Sequence, residues 1–357
     1  MEVALVYNVK KDESSAVESG GHPSKKTESQ HTALLPQAAG VDEYAEWDTI
    51  ETIHAVRDAL SLHHSVTMIE ADEEAFEKLK QLRPQIVFNI TEGKFGASRE
   101  AQIPAMLEML NIPYTGSDPL TLALCLDKSR AKEILAYNNV PTAKFVVVDS
   151  IDELNFDAVP LPAMVKPLYE GSSKGIFNSS LVHTKEELAK QVQHVLSEYR
   201  QSALIEEFLS GREFTVAMLG NGSDVRVLPI VEIKFDSLPE NVNPIYSFEA
   251  KWFWDQPDNP LNIFECPAKI SNELQSEIER ICKKTYKVLR CRDWSRIDVR
   301  LDKEGKPNII EINPLPGILP NPEDNSCFPK AARSAGLNYQ EMLNSVLNSA
   351  IKRYGIQ

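Results

Sequence analysis

Trp294-Ser295-Arg296-Ile297-Asp298-Val299-Arg300-Leu301 and Asn308-Ile309-Ile310-Glu311-Ile312-Asn313-Pro314 decide the fold, because both stretches alternate apolar and polar residues. In a strand, that alternation sends Arg296, Asp298 and Arg300 to one face and Ile297, Val299 and Leu301 to the other. Asp302-Lys303-Glu304-Gly305-Lys306 lies between them, a charged turn with one glycine, so the pair predicts an antiparallel hairpin. With the turn centred between Glu304 and Gly305, Asp298 falls opposite Glu311 and Arg296 opposite Asn313. Facing like charges destabilise a sheet, so two opposed carboxylates in so apolar a hairpin need a reason. A divalent cation is the simplest. Asp298, Glu311 and Asn313 would offer it oxygen ligands only, the preference of Mg²⁺. The alternative is a solvated strand face with no metal.

Working outward from the hairpin, Asn272 to Leu289 places Leu274, Ile278, Ile281, Thr285 and Val288 on one helical face. Strands are expected at Arg212 to Leu219 and Val225 to Ile233. Before them come strands at Lys144 to Val148, Ala163 to Lys166 and Ala203 to Phe208, with helices near Lys128 to Ala136 and Lys185 to Ser197. At the start of the chain, Glu2 to Tyr7 suits a buried parallel strand. Residues from about 10 to 42 are polar and aperiodic, and are read as a long mobile insert. From Tyr44, Trp47, Ile50, Ile53, Val56 and Leu60 recur at helical spacing. A strand at Val66 to Ile69, a helix from Glu73 to Leu82 and a strand at Gln85 to Ile90 complete a β-α-β-α-β run, followed by a helix near Glu100 to Leu110. The fold class is therefore α/β with α+β units, opening on a doubly wound, Rossmann-like parallel sheet. The loop Thr91 to Gly96 lacks G-x-G-x-x-G, which argues against a dinucleotide site.

A chain of 357 residues can hold two or three domains with full cores. The expected division is 1–119, 120–209 and 210–357. A formal charge of -14 opposes binding to nucleic acid or to an anionic membrane. Five cysteines without C-x-x-C spacing suit reduced thiols in a cytoplasmic protein, and no signal peptide or membrane span is expected. All seven histidines precede residue 195 and none shares a segment with the acidic and basic groups, so neither a zinc hydrolase nor a serine-histidine triad is supported.

Candidate binding residues sit at strand ends. Lys166 precedes Pro167-Leu168-Tyr169-Glu170-Gly171-Ser172-Ser173-Lys174-Gly175, a loop whose backbone N-H groups can close over phosphate; a plain surface turn is the alternative. Lys128 opens a helix after Asp127. Glu206 and Glu207 end an apolar strand, where carboxylates can accept from an adenine amino group or a ribose hydroxyl or be merely solvated. Lys251 lies in Phe248-Glu249-Ala250-Lys251-Trp252, an aromatic-rich segment that suits a lid or core packing.

In their order and spacing, these segments resemble the ATP-grasp superfamily and, within it, the D-alanine-D-alanine ligases. The resemblance runs from about Phe88 to the C-terminus. It is carried by Ile112-Pro113-Tyr114-Thr115-Gly116-Ser117, Leu126-Asp127-Lys128, Val165-Lys166-Pro167 with Glu170-Gly171-Ser172-Ser173, and Ile205-Glu206 with Gly211-Arg212-Glu213-Phe214. Glu249-Ala250-Lys251, the hairpin strands and Pro314-Leu315-Pro316-Gly317 continue it.

The resemblance implies an ATP-dependent carboxylate-amine ligase that acts through an acyl phosphate and is usually a homodimer. Lys128, Lys166 and Lys251 would bind ATP phosphates, with Glu206, Glu207 and Leu209 around the adenine and Glu213 on the ribose. Asp298, Glu311 and Asn313 would hold Mg²⁺, with Mn²⁺ as the alternative ion, while Arg296 and the N-H of Gly317 would stabilise an oxyanion. Ser172 and Tyr246 match positions around the first amino-acid-like substrate, and Ser326 one that meets the second.

The departures concern substrate choice. The family holds the first ammonium with a glutamate just after strand one and a histidine in a later loop. Here the insert replaces the first loop, Glu92-Gly93 stands where a His-Gly pair would sit, and Glu46 is the candidate replacement glutamate. D-alanine is therefore less expected as the substrate than the family name suggests. Alternatives are a natural-product ligase that couples an amino acid to a small acid or an enaminone such as a mycosporine, a carboxylate kinase, and a non-catalytic ATP-binding regulatory module.

Overall fold

The computed structural model describes residues 1–10, 46–254, 261 and 263–356. The expected insert lies outside these residues except for Lys10.

Strand β1 (Glu2–Tyr7) is followed by helix α1 (Ile50–Ser61), β2 (Ser65–Glu70), α2 (Ala75–Leu82) and β3 (Ile86–Ile90). They form the parallel sheet β2-β1-β3, whose all-buried β3 carries the near-continuous apolar run that such sheets need. Thr49 caps α1 by accepting from Thr52 N, and Ile53, Val56 and Leu60 are buried as the periodicity predicts. Trp47, expected on that helical face, lies ahead of the cap instead. Its indole N-H donates to the Gly93 carbonyl at 3.0 Å, which ties the start of the helix to the loop after β3.

Next come α3 (Gln102–Leu110), α4 (Pro119–Leu126) and α5 (Lys128–Tyr137). The second sheet has the order β4-β7-β5-β6 and is antiparallel. It comprises β4 (Phe145–Val148), β5 (Ala163–Pro167), β6 (Leu181–Val182) and β7 (Ala203–Glu207), with α6 (Lys185–His194) before its last strand.

The third sheet contains β8 (Glu213–Leu219), β9 (Arg226–Val227), β10 (Val231–Ile233), β11 (Phe264–Glu265) and, after α7 (Asn272–Val288), β12 (Trp294–Leu301) and β13 (Pro307–Asn313). Its order is β11-β10-β8-β12-β13, with β9 also on β8. Val225 to Ile233 was expected as one strand, but it forms two around Leu228-Pro229-Ile230, because proline has no N-H for the ladder. Helices α8 (Cys327–Ser334) and α9 (Tyr339–Tyr354) close the chain.

Alternation along β8 divides the core. Phe214, Val216 and Met218 pack with Ile297, Val299 and Leu301 of β12 against Ile278 and Ile281 of α7. Ala217 and Leu219 face the other way, toward α8, α9 and the first sheet. Trp294 is buried where β12 begins, edge to face with Phe88 of β3 and Phe328 of α8 at centroid distances of 5.8 and 5.6 Å. It anchors the hairpin to both neighbouring layers.

Candidate active site

The hairpin register brings Asp298 opposite Glu311 and Arg296 opposite Asn313, as expected from the sequence. The turn itself is offset by one residue. Leu301 pairs with Pro307 and Val299 with Ile309, and Ile310 forms a bulge that restores the expected pairing beyond it.

Both facing carboxylates are matched by cations. Arg296 donates from Nε and Nη2 to the two oxygens of Asp298 at 3.0 and 2.9 Å. Lys128 Nζ lies 2.9 Å from Oε1 of Glu311 and also donates to the Glu170 carbonyl. Burial would raise the Glu311 carboxyl, but Lys128, with Lys166 and Arg296, outweighs it and holds the group below its ordinary value. Asn313 Nδ2 donates to Asp298 at 3.3 Å. Two carboxylates and an amide thus converge, a donor set with only oxygens to offer a hard cation.

Lys166 on β5 and Glu206 on β7 are both buried and joined by a short hydrogen bond. Lys132, one turn after Lys128 on α5, approaches the other Glu206 oxygen at 2.9 Å. Burial would raise Glu206, but Lys132 and Lys166 overcome it and bring the carboxyl to about 2. The sequence reading missed Lys132; its i, i+4 spacing from Lys128 was the available signal. Glu213 opens β8 opposite Arg300 of β12, and Arg300 Nη1 donates to it at 2.7 Å. The Arg300 guanidinium stacks over Phe208 at 4.6 Å and donates from Nη2 to the Pro244 carbonyl.

The loop after β5 holds Ser172 and Ser173 at φ of +50° and +61°. Gly175 is required because a Cβ there would lie 2.3 Å from the Pro167 ring. Ser173 Oγ donates to the Tyr246 carbonyl at 2.9 Å, so this loop is tied to the segment that carries Lys251. Burial brings the Lys251 ammonium down to about 8.

These residues line a cleft of two lobes. The larger, a cavity of about 270 Å³, contains Lys166, Glu206, Glu207, Leu209, Glu213, Tyr246, Asp298 and Ser326. The smaller, about 80 Å³, contains Lys128, Glu92 and Asn313. Glu46, Asp48, Ser172, Lys251, Arg296, Glu311, Gly317 and Ile318 line both, so they mark where the lobes meet. Each candidate residue read from the sequence therefore faces this cleft. Glu46 is already engaged, however. Both its oxygens lie 2.7 Å from Arg99 Nη2, and Oε1 accepts from Gly171 N at 2.6 Å.

Comparison with known proteins gives the family. Residues 134–348 match the family model described as the D-ala D-ala ligase C-terminus. The D-alanine-D-alanine ligase of Haemophilus ducreyi is 37% identical over 302 residues, which cover 83% of this chain and 91% of that protein. The chain belongs to the D-alanine-D-alanine ligase family. Another member of similar length, from Pelotomaculum thermopropionicum, is 31% identical over 87% of this chain and 94% of its own. An uncharacterized protein of Sinorhizobium fredii is 36% identical over 304 residues, covering 82% of this chain and 84% of its own. The D-alanine-D-alanine ligase of Bacillus anthracis, solved in complex with ATP, superposes with a TM-score of 0.72 over 99% of both chains at 21% identity. As a ligase of this family, the chain has the ATP-grasp fold and forms C-N bonds in an ATP-dependent reaction. Among the described residues no helix is long and apolar enough to cross a membrane, and all five cysteines are free thiols.

Proposed function

We propose that the protein activates a small carboxylic acid as an acyl phosphate and couples it to the amine of a second, amino-acid-like substrate. The observation that carries this reading is the junction of two lobes at Arg296, Glu311, Lys251, Ser172 and Gly317. A nucleotide in the larger lobe and an acid in the smaller would meet there.

In this reading Glu213 holds the ribose, while Glu206, Glu207 and Leu209 line the adenine end. Lys128, Lys166 and Lys251 position the phosphates; anions arriving at Lys251 favour its charged form and offset the burial that lowers it. Asp298, Glu311 and Asn313 would hold Mg²⁺ or Mn²⁺, which their oxygen donors fit, and the ion would supply neutralising charge for phosphoryl transfer. An oxygen of the substrate carboxylate attacks the γ-phosphorus as the bond to the β-phosphate oxygen breaks, giving ADP and an acyl phosphate. The amine of the second substrate then attacks the acyl carbon and loses a proton as phosphate leaves. Arg296 and the N-H of Gly317 face the oxygen that gains charge, and fixed donors of this kind stabilise such an oxyanion. Ser172 and Tyr246 flank the donor and Ser326 the acceptor. A homodimer is proposed from the family resemblance.

The test is ADP release with Mg²⁺-ATP across amino acids and pairs of both chiralities, with products identified by mass. Release should require both a carboxylate and an amine, and the product mass should equal their sum less water. Arg296→Ala should lower turnover by roughly 10²-fold or more. Near-normal turnover in that variant would remove Arg296 from the mechanism, and ADP release without an amine would make the protein a carboxylate kinase.

A further inference from the structure

The smaller lobe carries a charge imbalance that the reaction outlined above does not use. Asp48, Glu92 and Glu100 all line it. Glu100 is only 8% exposed, yet none of these three carboxyls has a hydrogen bond or ion pair to its side-chain oxygens among the described residues.

Of the neighbouring cations, Lys251 stands at the junction of the lobes and the others hold carboxylates of their own. Lys128 is on Glu311, Arg296 on Asp298, and Arg99 on Glu46 and Glu170. Burial pushes Asp48 up to about 7 and Glu100 up to about 8, the latter with a further rise from Glu46 that Arg99 and Lys128 only partly offset. Burial also lifts Glu92 well above its ordinary value, with Glu100 and Glu46 adding to the effect. A buried carboxyl without a partner is costly, so Glu100, with the half-buried Asp48 and Glu92 lining the same lobe, marks a place that something else completes. A cation completes it best, because it lowers all three groups at once and turns mutual repulsion into attraction.

We propose that this lobe selects an acyl-donor substrate with a second cationic group, an amino or guanidino group on its side chain in addition to any α-ammonium. A single ammonium brings one positive charge to three carboxyls, whereas a diamino acid or an arginine-like acid brings the balance closer. The reacting carboxylate belongs at the junction beside Arg296, so Glu92 and Glu100, which line the smaller lobe alone, receive the remainder of the donor, with Asp48 between the two. The role of the ligand as acyl donor rests on the ligase reading; the cation site itself does not.

The test is calorimetric titration of the full chain, saturated with Mg²⁺ and a non-hydrolysable ATP analogue. The probes are ornithine, lysine and arginine against norvaline and norleucine, in both chiralities and in two buffers of different ionisation enthalpy. At least one cationic probe should bind ten-fold or more tightly than its neutral counterpart, with net proton release as the carboxyls ionise. The double variant Glu92→Gln/Glu100→Gln should lose most of that preference while retaining nucleotide binding. Glutamine preserves shape and removes buried charge, and the wild-type selectivity alone decides the matter if the variant fails to fold.

Equal affinity for neutral and cationic probes, no binding of any cationic probe, or a preference unchanged in a folded variant would overturn the proposal. ADP release with neutral donors only would overturn it while sparing the ligase reading. Selective cation binding without ADP release under any pairing would do the reverse.

Discussion

Glu206 is held between Lys132 and Lys166 with all three side chains buried, so its carboxylate is the electrostatic centre of this part of the larger lobe. Its value of about 2 in the fold lies below the ordinary 4.5. The stabilisation it contributes is therefore fully present above the unfolded value and is lost as the pH falls through the folded one. Glu206→Gln should destabilise the protein by about 3 kcal/mol near neutrality, since it leaves a buried lysine short of its counter-charge. The difference in urea midpoint between wild type and variant should narrow as the pH falls below about 5. A difference independent of pH would mean that the charge is not what holds these strands. Lys166 and Glu206 were legible because each ends an apolar strand at a loop. Lys132 was not, because a lysine within an amphipathic helix looks the same whether it faces solvent or a buried carboxylate. Asp48, Arg99 and Glu100 were missed for the same reason, since burial of a charge is a property of packing and leaves no local signature.

At the level of elements, the hairpin was readable almost completely and its bulge was not. Counting residues across Asp302 to Lys306 cannot separate an even turn from an odd turn compensated by one extra residue. Only the ladder shows that Val299 pairs with Ile309 while Asp298 pairs with Glu311. The bulged Ile310 lines the larger lobe beside the acid pair, where we propose that the nucleotide binds. Ile310→Ala should raise the KM for ATP by about ten-fold with little change in kcat, as expected when about 1–2 kcal/mol of apolar contact is removed from ground and transition states alike. An unchanged KM would mean that the bulge serves the hairpin alone. Helix α4 escaped the sequence reading because Pro119-Leu120-Thr121-Leu122-Ala123-Leu124-Cys125-Leu126 is too uniformly apolar to show a period. Its start was nonetheless marked by Asp118 as cap and Pro119 in the first turn.

Across the whole molecule, sheets at residues 2–90, 145–207 and 213–313 surround one cleft, and we propose that the domains divide at 119/120 and 209/210. The fold was legible because its strands alternate and its parallel sheet reads as apolar runs. Substrate choice was less so. The acidic residues that face one lobe lie apart in the sequence, and Glu46, the candidate anchor for an ammonium, is spent on Arg99. At the junction of the lobes, we propose, phosphate passes to the substrate carboxylate before the amine attacks the acyl carbon. The most direct test supplies an acid labelled with oxygen-18 in its carboxylate, with ATP, Mg²⁺ and an amine, and measures the label in the released phosphate. An acyl phosphate requires one labelled oxygen to pass to phosphate for each C-N bond formed. Phosphate free of label, with ADP and coupled product both present, would contradict the account.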